Sequence, residues 1–434
     1  MAEKNEIKSW VRDSITFKSI IIGFLILVLL IPAGMIKDLI KERNTLRNSV
    51  VSEISQKWGN PQTISGPVLT IPFKKFYKNE NKIIEEIHYA HFLPENLTIE
   101  GKLIPEIRNR GIYEVVVYSS LLNFNGVFIK PDFGEWKIKD SDILWEDASI
   151  SIGIPDMRGI KDALKIKFGN TEYDVNPGIN YLNYTGVSTK IKIVESDMFE
   201  FSFNLNLNGS DVINFIPVGK ETHVEINSGW KNPSFEGSFL PYERVINENG
   251  FKAKWKALHL NRSFPQKWID NEYSTGKAAF GVNLLLPVDH YQKSLRSAKY
   301  AIMFIALTFL VFFFTEILNK KRIHPIQYLL VGLGLSIFYS LLVSLSEQIN
   351  YNLAYLIASL SIITLITGYS YSIFKNIKLA VIVCFVLIIL YTFLFTILQL
   401  QDYSLLIGSI GLFVTLAIIM YLSRKVNWYN SIEE

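Results

Sequence analysis

Cysteine is nearly absent from this sequence, in which Cys384 is the single one among 434 residues. A disulfide framework and a zinc site built from thiolates each need more than one thiol, so both are excluded. A charge pattern for nucleic acid is missing as well, because the formal net charge is only +4 and the lysines are scattered singly through strand-like stretches. We therefore expect no nucleic-acid partner.

The sequence also lacks the short motifs of common enzymes. It contains no phosphate-binding glycine loop, no G-x-S-x-G turn, no HExxH and no paired zinc motif. His88 and His91 come nearest to a metal pair, but a spacing of three in a strand places them on opposite faces. The sequence thus predicts no catalytic, cofactor-binding or metal-binding residues, and it favours a protein that is not an enzyme.

Long apolar runs are abundant, and they lie at the two ends of the chain. Each is close to the roughly 20 residues that an α-helix needs to cross about 30 Å of hydrocarbon. The six runs are 17–36, 300–318, 326–345, 353–374, 379–398 and 403–422. We predict a membrane protein with one N-terminal and five C-terminal transmembrane helices.

Basic residues beside the short loops predict the orientation of these helices. Loops 346–352 and 399–402 contain no lysine or arginine, and the basic clusters fall on the other side of a six-span protein. This pattern predicts that residues 1–16 and 423–434 are cytoplasmic and that residues 37–296 lie outside. Residues 31–36 offer no clear small-x-small cleavage site, so we interpret the first run as an uncleaved anchor. The clusters are Lys4, Lys8, Arg12 and Lys18; Lys320, Lys321 and Arg322; Lys375 and Lys378; and Arg424 and Lys425.

A helical pattern follows the first run. Leu46, Val50, Ile54 and Trp58 are spaced by four and lie on one helix face. The first helix would then continue outward as an amphipathic stalk. A separate helix packed on the following domain fits the same pattern equally well.

From Gly66 onward, short β-like runs alternate with turn residues. Residues 199–207 alternate apolar and polar side chains, and the turn residues 208–211 lead into 212–216, which predicts a hairpin. A second hairpin is predicted from 165–168 to 171–175 through Gly169-Asn170. The whole region is predicted to be a large, mainly antiparallel, sandwich-like extracytoplasmic domain, either as one unit or as two.

Small residues recur at helical spacing in the membrane runs. Gly332, Ser336, Ser340 and Ser344 follow one another every four residues, which predicts a face on which helix backbones approach closely. Similar stripes in runs 353–374 and 403–422 predict that these three helices form the centre of the bundle. The bulky run 379–398 lacks a stripe and is predicted at the lipid-facing edge. The other stripes are Ala354, Ala358, Ser361, Gly368 and Ser372, and Ser404, Gly408, Gly411 and Thr415.

Two carboxylates, Glu316 and Glu347, flank the hairpin of the second and third membrane runs. An acid within a membrane segment is a functional candidate by default. The alternative is structural, because Lys320 follows Glu316 by four residues and water can reach both helix ends. We favour the structural interpretation. A transporter or channel would use both carboxylates to line a path, but the discontinuous helices usual in such proteins are missing.

Ordered sequence blocks along nearly the whole chain resemble the CreD family of bacterial inner-membrane proteins. Gln348 departs from the family, whose members often have histidine there, and this argues against an essential proton donor at that position. The blocks are Trp58-Gly59 with Gln62 and Gly66-Pro67, Arg110 to Glu114 with Val117-Tyr118, Leu258 to Gln266, Pro287 to Lys293, Arg296 to Ala301, His324 to Gly332, and Ser344 to Glu347.

The resemblance implies an inner-membrane protein connected with cell-envelope integrity. Members are often controlled by a two-component system and associated with tolerance of envelope-directed agents such as β-lactams and colicins, and no established catalytic activity comes with the family. We expect the partners to be the lipid bilayer and a periplasmic or membrane protein, and a homo-oligomer is an open alternative. His324, which opens one block, joins the candidate functional or packing residues.

Overall fold

The computed structural model describes residues 15–79, 82–179, 185–193, 196–286, 290–400 and 403–424. The predicted basic residues Lys4, Lys8, Arg12 and Lys425 lie outside these ranges. The chain divides into two compact units, one of Met1–Arg47 with Val288–Glu434 and one of Asn48–Pro287. The helices are α1 (Ile15–Trp58), α2 (His290–Lys299), α3 (Ala301–Leu318), α4 (Pro325–Ser346), α5 (Tyr351–Phe374), α6 (Ile377–Gln399) and α7 (Ser404–Ser423).

Six helices are long and apolar enough to span a membrane. Four of them contain a predicted run, and the helices for runs 300–318 and 403–422 begin one residue after the run does. The prediction of one N-terminal and five C-terminal spans is therefore confirmed. The short α2 is a further helix that the six predicted runs do not include. From His290 it is helical, and its buried face of Tyr291, Ser294, Ser297 and Ala298 belongs to the helical unit.

Helix α1 is one continuous element of 44 residues. At 1.5 Å per residue it is about 66 Å long, roughly twice the thickness of the hydrocarbon layer. The membrane anchor and the amphipathic segment are thus a single helix, as the first of the two interpretations held. Its buried apolar residues within the helical unit, Ile22, Leu29, Ala33 and Ile40, form a narrow stripe.

The order of the helices in the bundle differs from the prediction. Helix α6, expected at the edge, buries Val383, Leu387 and Tyr391 among other side chains and packs against α3 and α5. Helix α7, expected at the centre, has no buried residue among its described side chains. Bulky aliphatic residues can fill an interior by interdigitation, so the absence of small residues did not identify the edge.

Helix α5 confirms only the first part of its predicted stripe. Ala354 and Ala358 are fully buried, whereas Ser361, Gly368 and Ser372 are exposed. The buried face instead continues through bulky residues such as Ile362 and Ile366. Each exposed serine donates its hydroxyl to the carbonyl four residues earlier, which satisfies that hydroxyl without a neighbouring helix.

Seventeen strands make up the second unit within the described residues, and most pair antiparallel. Two parallel pairs, β1 with β11 and β3 with β12, interrupt that pattern. The strands are β1 (Gln62–Asn79), β2 (Lys82–Phe92), β3 (Asn96–Arg110), β4 (Tyr113–Ile129), β5 (Ser149–Gly153), β6 (Lys165–Phe168), β7 (Thr171–Asp174), β8 (Asn176–Pro177), β9 (Gly186–Lys190), β10 (Met198–Ser210), β11 (Val212–Phe215), β12 (Glu221–Ser228), β13 (Pro233–Gly237), β14 (Glu243–Asn247), β15 (Gly250–Leu258), β16 (Lys267–Ile269) and β17 (Phe280–Leu284).

Two sheets enclose one hydrophobic core. The eight-stranded sheet has the order β14-β15-β12-β3-β4-β10-β6-β7. The nine-stranded sheet has the path β13-β17-β11-β1-β5-β9-β8, with β2 paired to β1 and β16 paired to β2. Phe124, Phe203 and Trp255 from the first sheet and Ile71 and Phe280 from the second belong to the same buried cluster. The sandwich-like prediction is confirmed, and the region is one unit rather than two.

One of the two predicted hairpins is wrong. The alternating strand exists as β10, but it pairs with β4 along its whole length and with β6 at Phe201 and Ser202. Strand β11 pairs with β1 and β17 instead. At Asp211, whose φ is 54°, the chain crosses from the eight-stranded sheet to the nine-stranded one. The hairpin of β6 and β7 around Gly169, whose φ is 58°, forms as predicted.

Candidate functional site

A buried carboxylate lies near the end of α3. Glu316 is 2% exposed, and Nζ of Lys18 on α1 donates to its Oε1 over 2.9 Å. The hydroxyl of Tyr328 on α4 donates to Oε2 over 2.9 Å, and the backbone N–H of Ile323 donates to Oε1 over 3.3 Å. Three donors from three chain segments thus converge on one acid, and the charge is paired as burial requires.

The expected surroundings of Glu316 are corrected by this geometry. The cation that reaches it is Lys18, not Lys320, and water does not surround a side chain that is 98% covered. Two phenylalanine rings enclose the hydroxyl-bearing ring of Tyr328, with centroid separations of 5.4 Å to Phe309 and 6.2 Å to Phe312. The acid therefore holds helices together from inside rather than at a wetted interface.

A second acid, Glu347, follows the other end of α4. Its side chain is 9% exposed, and the hydroxyl of the buried Tyr291 on α2 donates to its Oε1 over 2.8 Å. Nε of Arg43 on α1 lies 3.9 Å from the same oxygen. This acid also connects three helices. Its cation, Arg43, is farther from the carboxylate and more exposed than Lys18 is.

The two acids mark opposite ends of a parallel pair of helices. Lys18 and Tyr328 lie at one end of α1 and α4, and Arg43 and Glu347 lie at the other, so both helices run in the same direction. The first and third spans of an alternating bundle must be parallel, which agrees with the six-span topology. Each end of the pair thus carries an acid held by a cation of α1.

The predicted packing face on α4 is present over half its length. A Cβ on Gly332 would lie 2.2 Å from Cδ1 of Leu29 on α1 and 3.0 Å from Cζ of Phe309 on α3, so only glycine allows this approach. Ser336 is 3% exposed. Ser340 is half-buried and Ser344 is exposed, so the face ends about one turn after Ser336.

His324 has a local structural function. Its Nδ1 accepts from the N–H of Ile326, and Oε1 of Gln327 accepts from the N–H of His324 over 2.9 Å. This reciprocal arrangement caps α4, which begins at Pro325. The capped end presents Tyr328 to Glu316 one turn later.

The two histidines of β2 lie on opposite faces of a regular strand, as predicted. Nδ1 of His88 is 2.6 Å from Oδ2 of Asp270, and its Nε2 is 3.1 Å from the hydroxyl of Tyr77. His91 is fully covered and contacts Thr70, and burial lowers its pKa to about 4. In the described part of the chain no cluster of three or more acids, histidines or cysteines could hold a metal ion.

The family blocks in the sheet unit hold its architecture together. Gln62 is fully buried, and its side chain donates to the backbone oxygens of Asp156 and Asn208. The side-chain hydrogen bonds of Arg158 hold the pKa of Asp156 below its usual range. The indole of Trp58 donates to the backbone oxygen of Tyr118 over 3.1 Å.

Salt bridges fix the end of α1 within that unit. The Arg108 guanidinium stacks 3.7 Å from the Trp58 ring, and Arg110 pairs with Glu53. Hydrogen bonds from Arg110 and then Lys57 lower the pKa of Glu53 to about 2. These blocks therefore explain how the helix joins the sheets, and they present no reactive group.

Sequence reasoning missed a two-stranded ribbon, formed by residues 74–79 of β1 and 82–87 of β2. These residues pair with each other and, in the described chain, with no further strand. Phe76, Ile83 and Ile87 share one face and are 50%, 76% and 50% exposed, and Ile84 on the other face is 47% exposed. The adjacent isoleucines Ile83 and Ile84 were a readable signal, because neighbours in a strand occupy opposite faces.

Comparison with known proteins adds to this geometry. The model of the family described as "Inner membrane protein CreD" matches residues 14–429. The inner membrane protein CreD of Escherichia coli strain K12 is 34% identical over 419 residues, which cover 93% of this chain and 91% of that protein. With one N-terminal and five C-terminal membrane-length helices and a sheet-rich unit between them in the sequence, this chain belongs to the CreD family of inner membrane proteins.

Proposed function

We propose that this protein maintains cell-envelope integrity without catalysing a reaction, and that its sheet unit lies outside the cytoplasmic membrane and engages a protein partner there. The family resemblance implies the envelope role. The basic residues beside the short loops support the orientation. The observation that supports a protein partner is the two-stranded ribbon of residues 74–79 and 82–87.

The ribbon has the properties of a docking element. An isolated pair of strands is marginally stable in water, and exposed apolar clusters mark interaction sites. The Lys74–Glu85 ion pair of 2.8 Å lies on the same face as Phe76 and Ile83, so the apolar side chains are framed by charge. The bond of His88 to Asp270 holds the base of the ribbon in place.

A triple substitution tests this role. Changing Phe76, Ile83 and Ile87 to Ser removes the apolar face without touching the core, so the protein should reach its normal level and yet fail to complement a deletion strain under envelope stress. Proximity labelling from the domain in living cells should lose its main product. Serine at Met198, Leu240 and Leu260 is the matched control, because these exposed residues lie elsewhere in the sheet unit. Full complementation by the ribbon variant would show that the ribbon is not the partner-binding site.

The orientation is testable by labelling single cysteines after Cys384 is replaced. A cysteine at the exposed Gln348 should react with an impermeant maleimide added to whole cells, and one at Lys321 should react only after permeabilisation. The two positions lie in successive loops of the bundle, one on each side. The reverse labelling pattern would place the sheet unit in the cytoplasm and refute the proposal.

Transport is the second candidate, because Glu316 and Glu347 are covered acids in a membrane bundle. If either carried protons or cations, Gln at that position would abolish the phenotype while leaving a folded protein. We expect Glu316→Gln and Glu347→Gln each to complement the deletion at normal level, because the amide can still form a hydrogen bond with the tyrosine hydroxyl. Loss of function in a well-expressed variant would favour transport.

A further inference from the structure

Helices α3, α6 and α7 leave an apolar cleft between them. It encloses about 650 Å³, a volume in the range of ligand pockets. Its walls include Leu310 of α3, Val386 and Phe393 of α6 and Ile410 of α7. Helix α7 approaches α6 at Gly411, where a Cβ would lie 2.1 Å from Cζ of Phe393, so the cleft separates α7 from α3.

The cleft's polar lining residues on α3, Thr315 and Asn319, lie toward one of its ends. Leu318 and Asn319 at the end of α3, Leu379 at the start of α6 and Leu422 at the end of α7 all line it there. Asn319 donates its amide to the backbone oxygen of Thr315, which also lines the cleft. An amphipathic ligand would therefore be oriented by the cleft, with its polar part at this end.

Each of the three helices has a cation, inside it or just past its end, that lies within two residues of a side chain lining this end of the cleft. Lys320 follows Asn319, Lys378 precedes Leu379 and Arg424 comes two residues after Leu422, and all three are exposed. Within the described ranges none of the three forms an ion pair. The carboxylate of Glu316, which lies at this end, is engaged by Lys18. Among the described residues, this rim therefore carries three cations that no acid pairs with.

We propose that this cleft binds an anionic diacyl phospholipid, with an acyl chain between α3, α6 and α7 and its phosphodiester at Lys320, Lys378 and Arg424. Basic pockets between membrane helices attract phosphate headgroups. An acyl chain can fill an aliphatic cleft without leaving a buried polar group unsatisfied. A soluble phosphate would use only the rim and would leave the cleft without a role.

The test uses the full-length protein in detergent and native mass spectrometry with two lipids of identical chains, phosphatidylglycerol and phosphatidylcholine. We expect one phosphatidylglycerol to remain bound under conditions that remove phosphatidylcholine. Lys320→Gln, Lys378→Gln and Arg424→Gln together should lower that preference by roughly tenfold or more. The control replaces Lys102, Lys167 and Lys277 of the sheet unit by Gln, which removes the same number of positive charges. If the triple variant is not monodisperse, Lys320→Gln and Arg424→Gln alone should each give a partial loss.

The cleft is tested separately from its rim. Leu310→Trp should reduce the retention of both lipids, whereas Phe385→Trp, on the 62% exposed side of α6, should not. Undiminished phosphatidylglycerol in the rim variant would mean that the cations serve only topology, and would overturn the proposal. So would displacement of the lipid by inorganic phosphate, or a tenfold or greater preference for the two-phosphate lipid cardiolipin.

Discussion

Replacing Lys18 by Met should lower the stability of the bundle by about 3–5 kcal/mol, because it leaves the carboxylate of Glu316 buried without its cation. Lys18 approaches from α1 and is itself 26% exposed, whereas the acid is 3% exposed on its side chain. The loss of stability therefore comes mainly from leaving the buried carboxylate of Glu316 without a counter-ion. In a thermal scan of the detergent-solubilised protein, the Tm should fall by roughly 10 °C.

The reciprocal change should be much milder. Glu316→Gln keeps one oxygen to accept from the N–H of Ile323, and its NH2 group can donate to the hydroxyl oxygen of Tyr328. The released ammonium group of Lys18 can turn toward water. The double variant Lys18→Met with Glu316→Gln should regain most of the stability that Lys18→Met loses. Equal losses from the two single variants, or additive losses in the double one, would show that this ion pair does not hold α1 to the bundle.

Placing Leu at Gly332 should have the second large effect, because α1 and α3 both occupy the space that a side chain needs. A Cβ at Gly332 would lie 2.2 Å from Cδ1 of Leu29 and 3.0 Å from Cζ of Phe309, so a leucine must displace both of these side chains and disturb the packing of α1 and α3 against α4. Helix association in lipid depends on this close packing, and overpacking costs typically about 1–3 kcal/mol. We expect a lower Tm and a smaller monodisperse fraction after extraction.

Gly368→Leu is the matched control, because no atom lies within 4 Å of a Cβ built at that exposed glycine of α5. A compensating change sharpens the test: Leu29→Ala should restore much of the stability of Gly332→Leu by vacating the same space. If Gly368→Leu is equally harmful, leucine acts through helix propensity or expression. If Leu29→Ala lowers the stability of Gly332→Leu further, the contact of Leu29 with position 332 does not explain the effect of the leucine.

The sequence predicted the spans because hydrocarbon thickness imposes a length that any apolar run reveals. It could not predict which helices are central, since the burial of Val383 and the exposure of Gly368 depend on neighbours rather than on residue size. The strand β10 was readable from its alternation, but its partner was not, because pairing with β4 and β6 is a long-range choice. Alternating apolar and polar residues show which face of a strand is buried, but a turn sequence after the strand does not show which strand pairs with it.

The candidate site shows the same division. Glu316 stood out as an acid beside an apolar run, yet its cation lies 298 residues earlier in the chain, and the nearby Lys320 was a plausible substitute. Lys18 was itself counted only as a flanking charge. Local spacing identified the groups that need a partner, and only the packing of α1 against α3 and α4 identified the partners.

The strand order of the nine-stranded sheet has a consequence for biosynthesis. Strand β1 is made early, but its parallel neighbour β11 pairs Gln62 with Ile213, and β11 is covered in turn by β17 at residues 280–284. Such distant pairing is slow to form and cannot begin before the later strand exists. Since α3 starts at Ala301, the sheets would close only as the second membrane span is being synthesised. Until then the nascent chain carries unpaired strand edges, so it would need chaperone protection until the last strand has been made.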